Sequence, residues 1–568
     1  MDRRITILWI GILSFFGLLV LRLFYWQLIA SERLSSYARE QYQTETTIDA
    51  PRGEILARDG SPLSITVDAY KLIVDKNVFD MNTYEFSARM APILVSTDSA
   101  GIKIESDRIT KVIDSTKSTW IAIKQKINRD KKQEIEKLNI PGVIFEPIQD
   151  RYYPEASSSA QVLGFVGKSD KGYDMGYFGL EGYYNIELTG NSGIVARQSN
   201  ALGAPLFSGT RKNVLARPGV TLLTSIDKRF QQIIEKKLQE GIAKYGAKSG
   251  TVIAMNPITG EILAMASSPT YDPREYYKYS NEEFKNPAIS DSFEPGSIMK
   301  PLIMAAGIDT NVISPQTQCD ICFGSYKIDK YFIETWNKEY YPNSTMTDVL
   351  VHSDNVGMVF VGNKLGKDNL INYFGKYGFG TATSVDLQGE AVPPFRKPNE
   401  WNIVDLATAT FGQGIAVTPI QMIRAMASIA NGGYLIKPHV VNEIQTDSGK
   451  VNIENLDKKQ ILSSSTTKQV TEMMMAAVKS GEAKWAVPKG FLIAGKTGTA
   501  QIPVAGHYDP TKTIASFVGF APANDPKFVM LVILREPQTS QWGSETAAPL
   551  WFNISREVFP YMGIRPEN

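Results

Sequence analysis

Cysteine and histidine are scarce in this 568-residue sequence, which has two cysteines and three histidines. A structural zinc site almost always takes four ligands, so this small supply argues against a zinc site, and we expect no cofactor. The two cysteines form one C-x-x-C pair, Cys319 and Cys322. No thioredoxin-like βαβ pattern accompanies the pair, and a loop this short gains little entropy from closure. We therefore predict either a local structural disulfide or two inert thiols, and no redox chemistry.

An excess of charge of either sign is also missing, since 60 basic residues face 59 acidic ones and the net charge is +1. Binding along a phosphate backbone requires a basic excess, so the composition argues against a nucleic-acid partner. Hydrophobic residues make up 43% of the chain, which is too many for a disordered protein. The length is sufficient for two or three folded domains.

Long charge-free apolar runs are limited to one, at residues 5–21, and an arginine pair precedes it. As a helix this run spans about 26 Å, and continuation past a snorkelling Arg22 to Trp26 reaches the ~30 Å of a bilayer core. The arginine pair predicts a cytoplasmic N-terminus and an extracytoplasmic remainder, with a single membrane pass. The alternative is a cleaved signal peptide, for which the apolar run is long and Ile29-Ala30-Ser31 is only a loose cleavage site.

The most informative short motif is Ser297-x-x-Lys300, which begins an apolar helix-forming segment. Pro301 is tolerated only in the first turn of a helix, so the helix is expected to begin near Ser297. The hydroxyl then lies at the positive end of the helix, and the amine three residues later shares its face. A serine nucleophile and its lysine base need this arrangement. Two other S-x-x-K matches lack this context, and they begin at Ser225 and Ser465.

The second motif is Ser353-Asp-Asn355, which follows a short predicted helix at residues 347–352. On its own it predicts no more than an Asx-type turn. His352, immediately before it, is predicted to pack against its neighbours, because a serine–lysine system needs no histidine.

The third motif is Lys496-Thr-Gly498, within an extended pattern typical of a strand. Thr497 and Thr499 offer hydroxyls, and Lys496 offers a cation, for binding a carboxylate. Gly498 is expected to leave room for the backbone of a substrate. In this order, the three motifs predict a serine acyltransferase that acts on D-alanyl peptides or β-lactams.

The pattern of apolar residues predicts an α+β fold. Up to about residue 222, short strands and helices alternate, with a hairpin turn expected at Arg58-Asp-Gly60 and a helix at residues 118–138. In the remaining residues, strands near both ends flank a mostly helical middle, and these strands are predicted at 251–257, 261–266, 513–520 and 528–534. We therefore predict an antiparallel sheet covered by helices, with the Ser297 helix beneath the Lys496 strand.

Over nearly its whole length the chain resembles the class B penicillin-binding proteins. In the first module the similar segments are 52–60, 151–154, 163–164 and 179–184. In the second they are 259–265, 294–297, 412–414, 418–419 and 547–549. The pattern of the first module is closer to the division-type (septal) branch than to the elongation type. The resemblance implies an anchor at residues 1–30, an elongated β-rich pedestal or dimerisation module at 31–222 and a transpeptidase domain at 223–568.

The resemblance also implies a membrane-anchored D,D-transpeptidase that cross-links peptidoglycan stem peptides and is acylated by β-lactams. Ser297 is then the acylated nucleophile and Lys300 its general base. Ser353 relays the proton to the leaving D-alanine, and Asn355 contacts the substrate amide. Lys496 supports the Ser353 hydroxyl electrostatically. A glycan polymerase of the SEDS family is the expected membrane partner.

In the same resemblance, the terminal carboxylate of the substrate binds along Thr497, Gly498 and Thr499. The backbone N–H groups of Ser297 and Thr499 form the oxyanion hole, where one donor is typically worth ~3–4 kcal/mol. Lys300 must be neutral to act as a base, so burial and a neighbouring lysine are expected to lower its pKa.

The second motif departs from the Ser-Ser-Asn that the family more often has, and Asp354 is expected to face away from the substrate. A class A β-lactamase is a rival, but Glu400-Trp-Asn402 does not match the Glu-x-x-x-Asn spacing of that family. A glycosyltransferase domain is disfavoured because its Glu-Asp motif carries a histidine, and none precedes His352. A penicillin-binding sensor is disfavoured because it would carry a His-Glu-x-x-His segment and several membrane spans. An inactive cell-wall scaffold remains an alternative, since motifs show capacity and not turnover.

Overall fold

The computed structural model describes residues 3–95, 98–198, 212–453, 458–504 and 507–567, which form two compact units. The smaller unit comprises residues 1–52 and 189–219. Its helical segment Arg3–Ile29 is long and apolar enough to cross a membrane. A helix at Ser31–Tyr42 follows. A three-stranded antiparallel sheet has the order Gln43–Ile48, Gly193–Gln198 and Lys212–Val214.

The larger unit comprises residues 53–188 and 220–568 and contains a seven-stranded sheet. Along this sheet the strands are Gly449–Asn452, Val441–Thr446, Thr221–Thr224, Ile55–Leu56, Pro62–Asp75 and Trp120–Ile127, and Val143–Tyr152 also pairs with Pro62–Asp75. The strand Thr221–Thr224 pairs with Ile55–Leu56 on one side and with Val441–Thr446 on the other. The sheet is therefore continuous across residue 222, where the sequence predicts a domain boundary.

The predicted hairpin at Arg58-Asp-Gly60 is confirmed, because Ile55–Leu56 and Pro62–Asp75 pair antiparallel around it. Gly60 has φ +79°, a backbone region that glycine adopts without strain. The Asp59 carboxylate accepts a hydrogen bond from the Ser61 N–H at 2.9 Å, which closes the turn.

The helix predicted at residues 118–138 is wrong. The structure has a strand at Trp120–Ile127 and a helix only at Arg129–Glu136. Ile121 and Ile123 are both buried, so the apolar residues alternate with period two and favour a strand. Asn128 then caps the short helix through its side chain.

A buried ion pair joins three of the first-module segments. Arg151 Nε donates to Glu181 Oε1 at 2.7 Å, and the two side chains are 5% and 0% exposed. Arg151 also donates to the Gly53 carbonyl, and the Ser64 hydroxyl donates to the same carboxylate oxygen. The segments 52–60, 151–154 and 179–184 therefore have a structural role, because each contributes a residue to one buried hydrogen-bond network.

The described part of the first module also contains five helices and a small two-stranded sheet. The helices are Thr83–Leu94, Ser99–Ser115, Ala160–Leu163, Gly179–Tyr183 and Asn185–Thr189. Phe165–Lys168 and Asp174–Tyr177 form a two-stranded sheet.

The predicted antiparallel sheet of the second module is confirmed as a five-stranded sheet, named here the central sheet. Its strands, in spatial order, are Ile262–Ser268, Ser249–Met255, Phe528–Arg535, His507–Ala521 and Ala494–Val504. Within Phe528–Arg535, alternate side chains enter two different hydrophobic clusters. Both faces of the central sheet are therefore covered, which explains why these strands are apolar throughout.

Helices cover the two faces. One face packs against Lys228–Tyr245 and Ala547–Tyr561. The principal helices of the other side are Lys300–Asp309, Met346–Val351, Asn355–Leu365, Lys367–Lys376, Ile403–Ala409, Pro419–Ala430 and Ser464–Ser480. A small hairpin of Tyr326–Ile328 and Tyr331–Ile333 lies between two of them in sequence. Just before this hairpin, Cys319 and Cys322 form a disulfide, the first of the two alternatives.

Candidate active site

Ser297 lies in a 3₁₀ turn, Gly296–Met299, that leads directly into the α-helix Lys300–Asp309. The regular helix thus begins three residues after the serine, with Pro301 in its first turn. The turn is held tightly, because Gly296 N–H donates to the Gly412 carbonyl at 2.9 Å. A Cβ on Gly412 would lie 2.2 Å from the Gly296 carbonyl oxygen, so only glycine fits there.

The Lys300 side chain is fully buried and is bound by the second motif. Its Nζ donates to the Ser353 carbonyl at 2.6 Å, to Ser353 Oγ at 3.2 Å and to Asn355 Oδ1 at 2.8 Å. Ser353 Oγ in turn donates to Ser297 Oγ at 3.1 Å. The helix spacing predicts a direct serine–lysine pair, whereas in the structure the Ser353 hydroxyl connects the two.

The backbone of Ser353 has φ +54°, which is uncommon for a residue with a side chain. This conformation lets its carbonyl and its hydroxyl both accept hydrogen bonds from one amine. Asp354 accepts the N–H groups of Val356 and Gly357 and so caps the next helix. The His352 ring stacks on Tyr341 at a centroid distance of 4.0 Å, as expected for a packing residue.

The third motif lies on Ala494–Val504, the edge strand of the central sheet beside the nucleophile turn. Lys496 is 3% exposed, and its Nζ donates to Thr497 Oγ1 at 3.1 Å and to the Thr497 carbonyl at 3.3 Å. Thr499 Oγ1 accepts the Gly543 N–H at 2.9 Å. The strand that carries both threonines therefore packs beside the turn that holds Ser297.

The structure gives a different reason for Gly498 from the one expected. A Cβ at this position would lie 2.4 Å from Ser516 Oγ and 2.9 Å from Ile298 Cγ2. The close approach is thus made by the protein's own neighbouring strand and by the nucleophile turn. Glycine here lets the edge strand pack directly against the turn that holds Ser297.

Electrostatics at the site favour a neutral amine. Burial lowers the pKa of Lys300 well below its usual value, the charge of Lys496 lowers it further, and Asp354 and Glu482 oppose these effects. Burial also lowers the pKa of Lys496, and Glu482 opposes that shift. A buried neutral amine that reaches a serine through one hydroxyl is able to accept the proton of a nucleophile.

Two features of the site have no signal in the sequence. Glu482 follows a helix in an ordinary polar segment, and only the folded chain brings it next to Lys496. Trp336 and Trp542 come from distant segments, and their ring centroids lie 5.0 Å apart. Trp542 immediately precedes Gly543, so this aromatic pair lies beside the third motif.

A Ser–Lys turn, a Ser-Asp-Asn turn and a Lys-Thr-Gly edge strand meet on an antiparallel sheet that lies between helices. This combination defines a serine acyltransferase of the penicillin-recognising class. The penicillin-binding protein transpeptidase domain matches residues 250–556. The penicillin-binding protein dimerisation domain matches residues 47–224. The chain belongs to the class B penicillin-binding proteins.

Curated relatives are similar over almost the whole chain. Stage V sporulation protein D of Bacillus subtilis is 32% identical over 99% of this chain and 86% of its own length. Peptidoglycan D,D-transpeptidase FtsI of Escherichia coli is 28% identical over 92% of this chain and 85% of its own length.

Solved structures share the fold at lower identity. A peptidoglycan synthetase from Bifidobacterium adolescentis is 24% identical, with a TM-score of 0.72 over 93% of this chain and 98% of the other. Penicillin binding protein 3 of Mycobacterium tuberculosis, in complex with aztreonam, is 24% identical, with a TM-score of 0.70 over 92% of this chain and 98% of the other.

Proposed function

We propose that this protein is a membrane-anchored D,D-transpeptidase that cross-links peptidoglycan stem peptides through a serine acyl-enzyme and is inhibited by β-lactams. The observation that supports it most directly is the chain of hydrogen bonds from Lys300 Nζ through Ser353 Oγ to Ser297 Oγ. Relatives named as peptidoglycan D,D-transpeptidases support the same reaction.

In the acylation step, Ser297 Oγ attacks the carbonyl carbon of the penultimate D-alanine. Neutral Lys300 has two N–H groups and a lone pair, and in this state the lone pair accepts from the Ser353 hydroxyl. The Ser297 proton passes to Ser353 Oγ as the Ser353 proton passes to Lys300 Nζ. The backbone N–H groups of Ser297 and Thr499 stabilise the oxyanion, each by roughly 3–4 kcal/mol. Ser353 then delivers a proton to the nitrogen of the leaving D-alanine as the peptide bond breaks. The amine of a second stem peptide attacks the acyl-enzyme and loses a proton, the ester bond to Ser297 Oγ breaks, and Ser297 Oγ regains a proton as the new cross-link is released.

Substrate binding uses the edge strand of the central sheet. The terminal carboxylate of the donor peptide lies against the hydroxyls of Thr497 and Thr499, with the backbone of Gly498 between them and the charge of Lys496 behind. Asn355, whose Oδ1 accepts from the lysine of the first motif, contacts the peptide amide. A charged partner shortens and strengthens such carboxylate contacts.

The helical segment Arg3–Ile29 anchors the protein by a single pass, with the N-terminus in the cytoplasm and the rest outside. N-terminal sequencing of the mature protein distinguishes this anchor from a cleaved signal peptide. A SEDS-family glycan polymerase is the proposed partner of the anchor, and loss of co-purification after substitutions in it is the expected result. The first-module motifs favour a septal role, which localisation of a fluorescent fusion tests.

Labelling of the full chain with a fluorescent penicillin, followed by mass mapping of the modified peptide, tests the activity. The expected result is a stable label on Ser297 that Ser297→Ala abolishes and Ser465→Ala, at an unrelated S-x-x-K match, leaves intact. Label on another residue, or none, contradicts the proposal and favours the inactive scaffold.

The release rate of the label separates the proposal from a β-lactamase, which hydrolyses its acyl-enzyme rapidly. Glu400 of the Glu-Trp-Asn segment is exposed, and its Oε2 accepts the Lys397 N–H of its own turn at 2.9 Å. We therefore expect slow release. Release within seconds contradicts a transpeptidase.

A further inference from the structure

Glu482 lies behind the third-motif strand, immediately after the helix Ser464–Ser480 and its cap Gly481. Its Oε2 accepts a hydrogen bond from the Thr497 hydroxyl at 3.5 Å. Its Oε1 is buried and has no hydrogen-bond partner among the residues that the structure describes. A carboxylate oxygen buried in this way is unfavourable unless a positive charge lies near it.

Lys496 provides that charge, because Glu482 and Lys496 line the same small cavity between the third-motif strand and the helices behind it. Apart from Thr497, the other side chains of this cavity are apolar, and they include Val478, Phe517 and Phe552. Of the residues that line the cavity, Glu482 is thus the only acid and Lys496 the only base. Low polarity around the two groups strengthens their attraction.

Among the described residues, Lys496 is also linked electrostatically to the first two motifs and to the histidine before the second. The charge of Lys496 lowers the pKa of Lys300, because the two amines repel each other when both are protonated. Asp354 acts on Lys300 from the cap of the next helix, and His352 acts on Asp354. Besides Glu482, the elements packed behind Lys496 contribute only apolar side chains to the cavity lining. Two carboxylates, Asp354 and Glu482, therefore raise the pKa of Lys300. For Lys496, Glu482 is the group that offsets the lowering of the pKa by burial.

The proposed reaction requires the two lysines to differ, because Lys300 must be neutral as a base while Lys496 must be charged to bind a carboxylate. Two buried amines this close to each other do not both carry a proton without a large electrostatic cost. Which lysine carries the proton therefore depends on the charges around each of them. The negative charge of Glu482 lies in the same cavity as Lys496.

We propose that Glu482 is a positioning residue, which keeps the positive charge of the site on Lys496 and orients Thr497 at the carboxylate-binding edge. The proposal rests on the proposed function and deepens it. In the described part of the chain Glu482 has no hydrogen bond to Ser297 or Lys300, and its contacts with the site are those with Lys496 and Thr497. Its removal is expected to change the pH dependence of acylation, which a merely structural residue would not do.

The plot of acylation rate against pH should be bell-shaped. The rate should rise as Lys300 loses its proton and fall as Lys496 loses its proton. Because the two lysines interact, the apparent pKa values of the two limbs belong to the pair of lysines. Loss of the negative charge at position 482 makes a proton on either lysine less favourable. Because Asp354 remains beside Lys300, the falling limb, which depends on Lys496, should move to lower pH by more than the rising limb. A single neighbouring charge typically shifts a pKa by about 1–3 units.

The experiment measures the second-order rate of acylation by a fluorescent penicillin from pH 5 to pH 10 on the detergent-solubilised full chain. Glu482→Gln removes the charge and keeps the shape, and we expect its falling limb to move down by about one unit or more. Glu482→Asp keeps the charge and should restore most of the wild-type profile. Glu472→Gln, on the exposed face of the same helix, is the matched control and should leave the profile unchanged.

Thermal unfolding of each variant accompanies the rate measurements. If Glu482→Gln does not fold, Glu482→Ala replaces it with the same expectation, because it removes the buried carboxylate altogether. A folded variant whose falling limb coincides with that of the wild type overturns the inference, as does a Glu482→Asp profile identical to that of the glutamine variant. A wild-type protein that the penicillin does not acylate overturns the proposed function instead, so the two failures are distinguishable.

Discussion

Removal of the Ser353 hydroxyl is the sharpest test of the site. This oxygen lies 3.2 Å from Lys300 Nζ and 3.1 Å from Ser297 Oγ, and it is the link between them. Lys300 would keep its bonds to the Ser353 carbonyl and to Asn355, so the buried amine would stay in place. Loss of a positioned proton-transfer group slows a reaction by about 10²–10⁴-fold, or roughly 3–5 kcal/mol.

The φ of +54° at Ser353 allows strain to be separated from chemistry. Ser353→Ala removes the hydroxyl and leaves the strained backbone, whereas Ser353→Gly removes both the hydroxyl and the strain. We expect the two variants to lose acylation equally, because both lack the relay. Ser384→Gly, also at positive φ and exposed, is the control and should keep the wild-type rate.

Stopped-flow acylation by a chromogenic cephalosporin, with mass spectrometry of the acyl-enzyme, measures these rates. Rates within about threefold of wild type in both Ser353 variants would refute the relay, since general acid–base catalysis is worth far more. A large defect in the alanine variant alone would show that the hydroxyl is dispensable, and that alanine without the hydroxyl's hydrogen bonds does not hold the positive-φ backbone that glycine adopts without strain.

Three further predictions follow from the same structure. Because burial lowers the pKa of Lys300, the acylation rate should rise with pH through a midpoint well below the ~10.4 of an ordinary lysine; a rise only near pH 10 would contradict this. Glu181→Gln should destabilise the protein by about 3–5 kcal/mol in urea unfolding, because it leaves the buried charge of Arg151 without its counter-ion; a change below about 1 kcal/mol would count against the network. Gly412→Ala should displace the Gly296 turn, since its Cβ would meet that carbonyl at 2.2 Å, and should slow acylation by about 10²-fold; unchanged kinetics would show that the turn adapts.

The sequence alone determined the features that depend on local pattern. A run of apolar residues of bilayer length predicts the anchor helix, and Asp59-Gly60 predicts the hairpin turn. The apolar runs at 513–520 and 528–534 predict strands of the central sheet, and the structure has them as His507–Ala521 and Phe528–Arg535. The prediction of one helix at residues 118–138 was wrong, because residues 120–127 form a strand that pairs with Pro62–Asp75.

Only the tertiary structure decided how the site residues are connected. Residues 297, 353 and 496 are far apart in the chain, and the sequence order says nothing about which hydroxyl lies next to which amine. The folded chain inserts Ser353 between Ser297 and Lys300 and brings Glu482 behind Lys496. Local sequence therefore specifies the elements and the reactive groups, whereas the distances and charges that set their chemistry depend on how distant segments pack together.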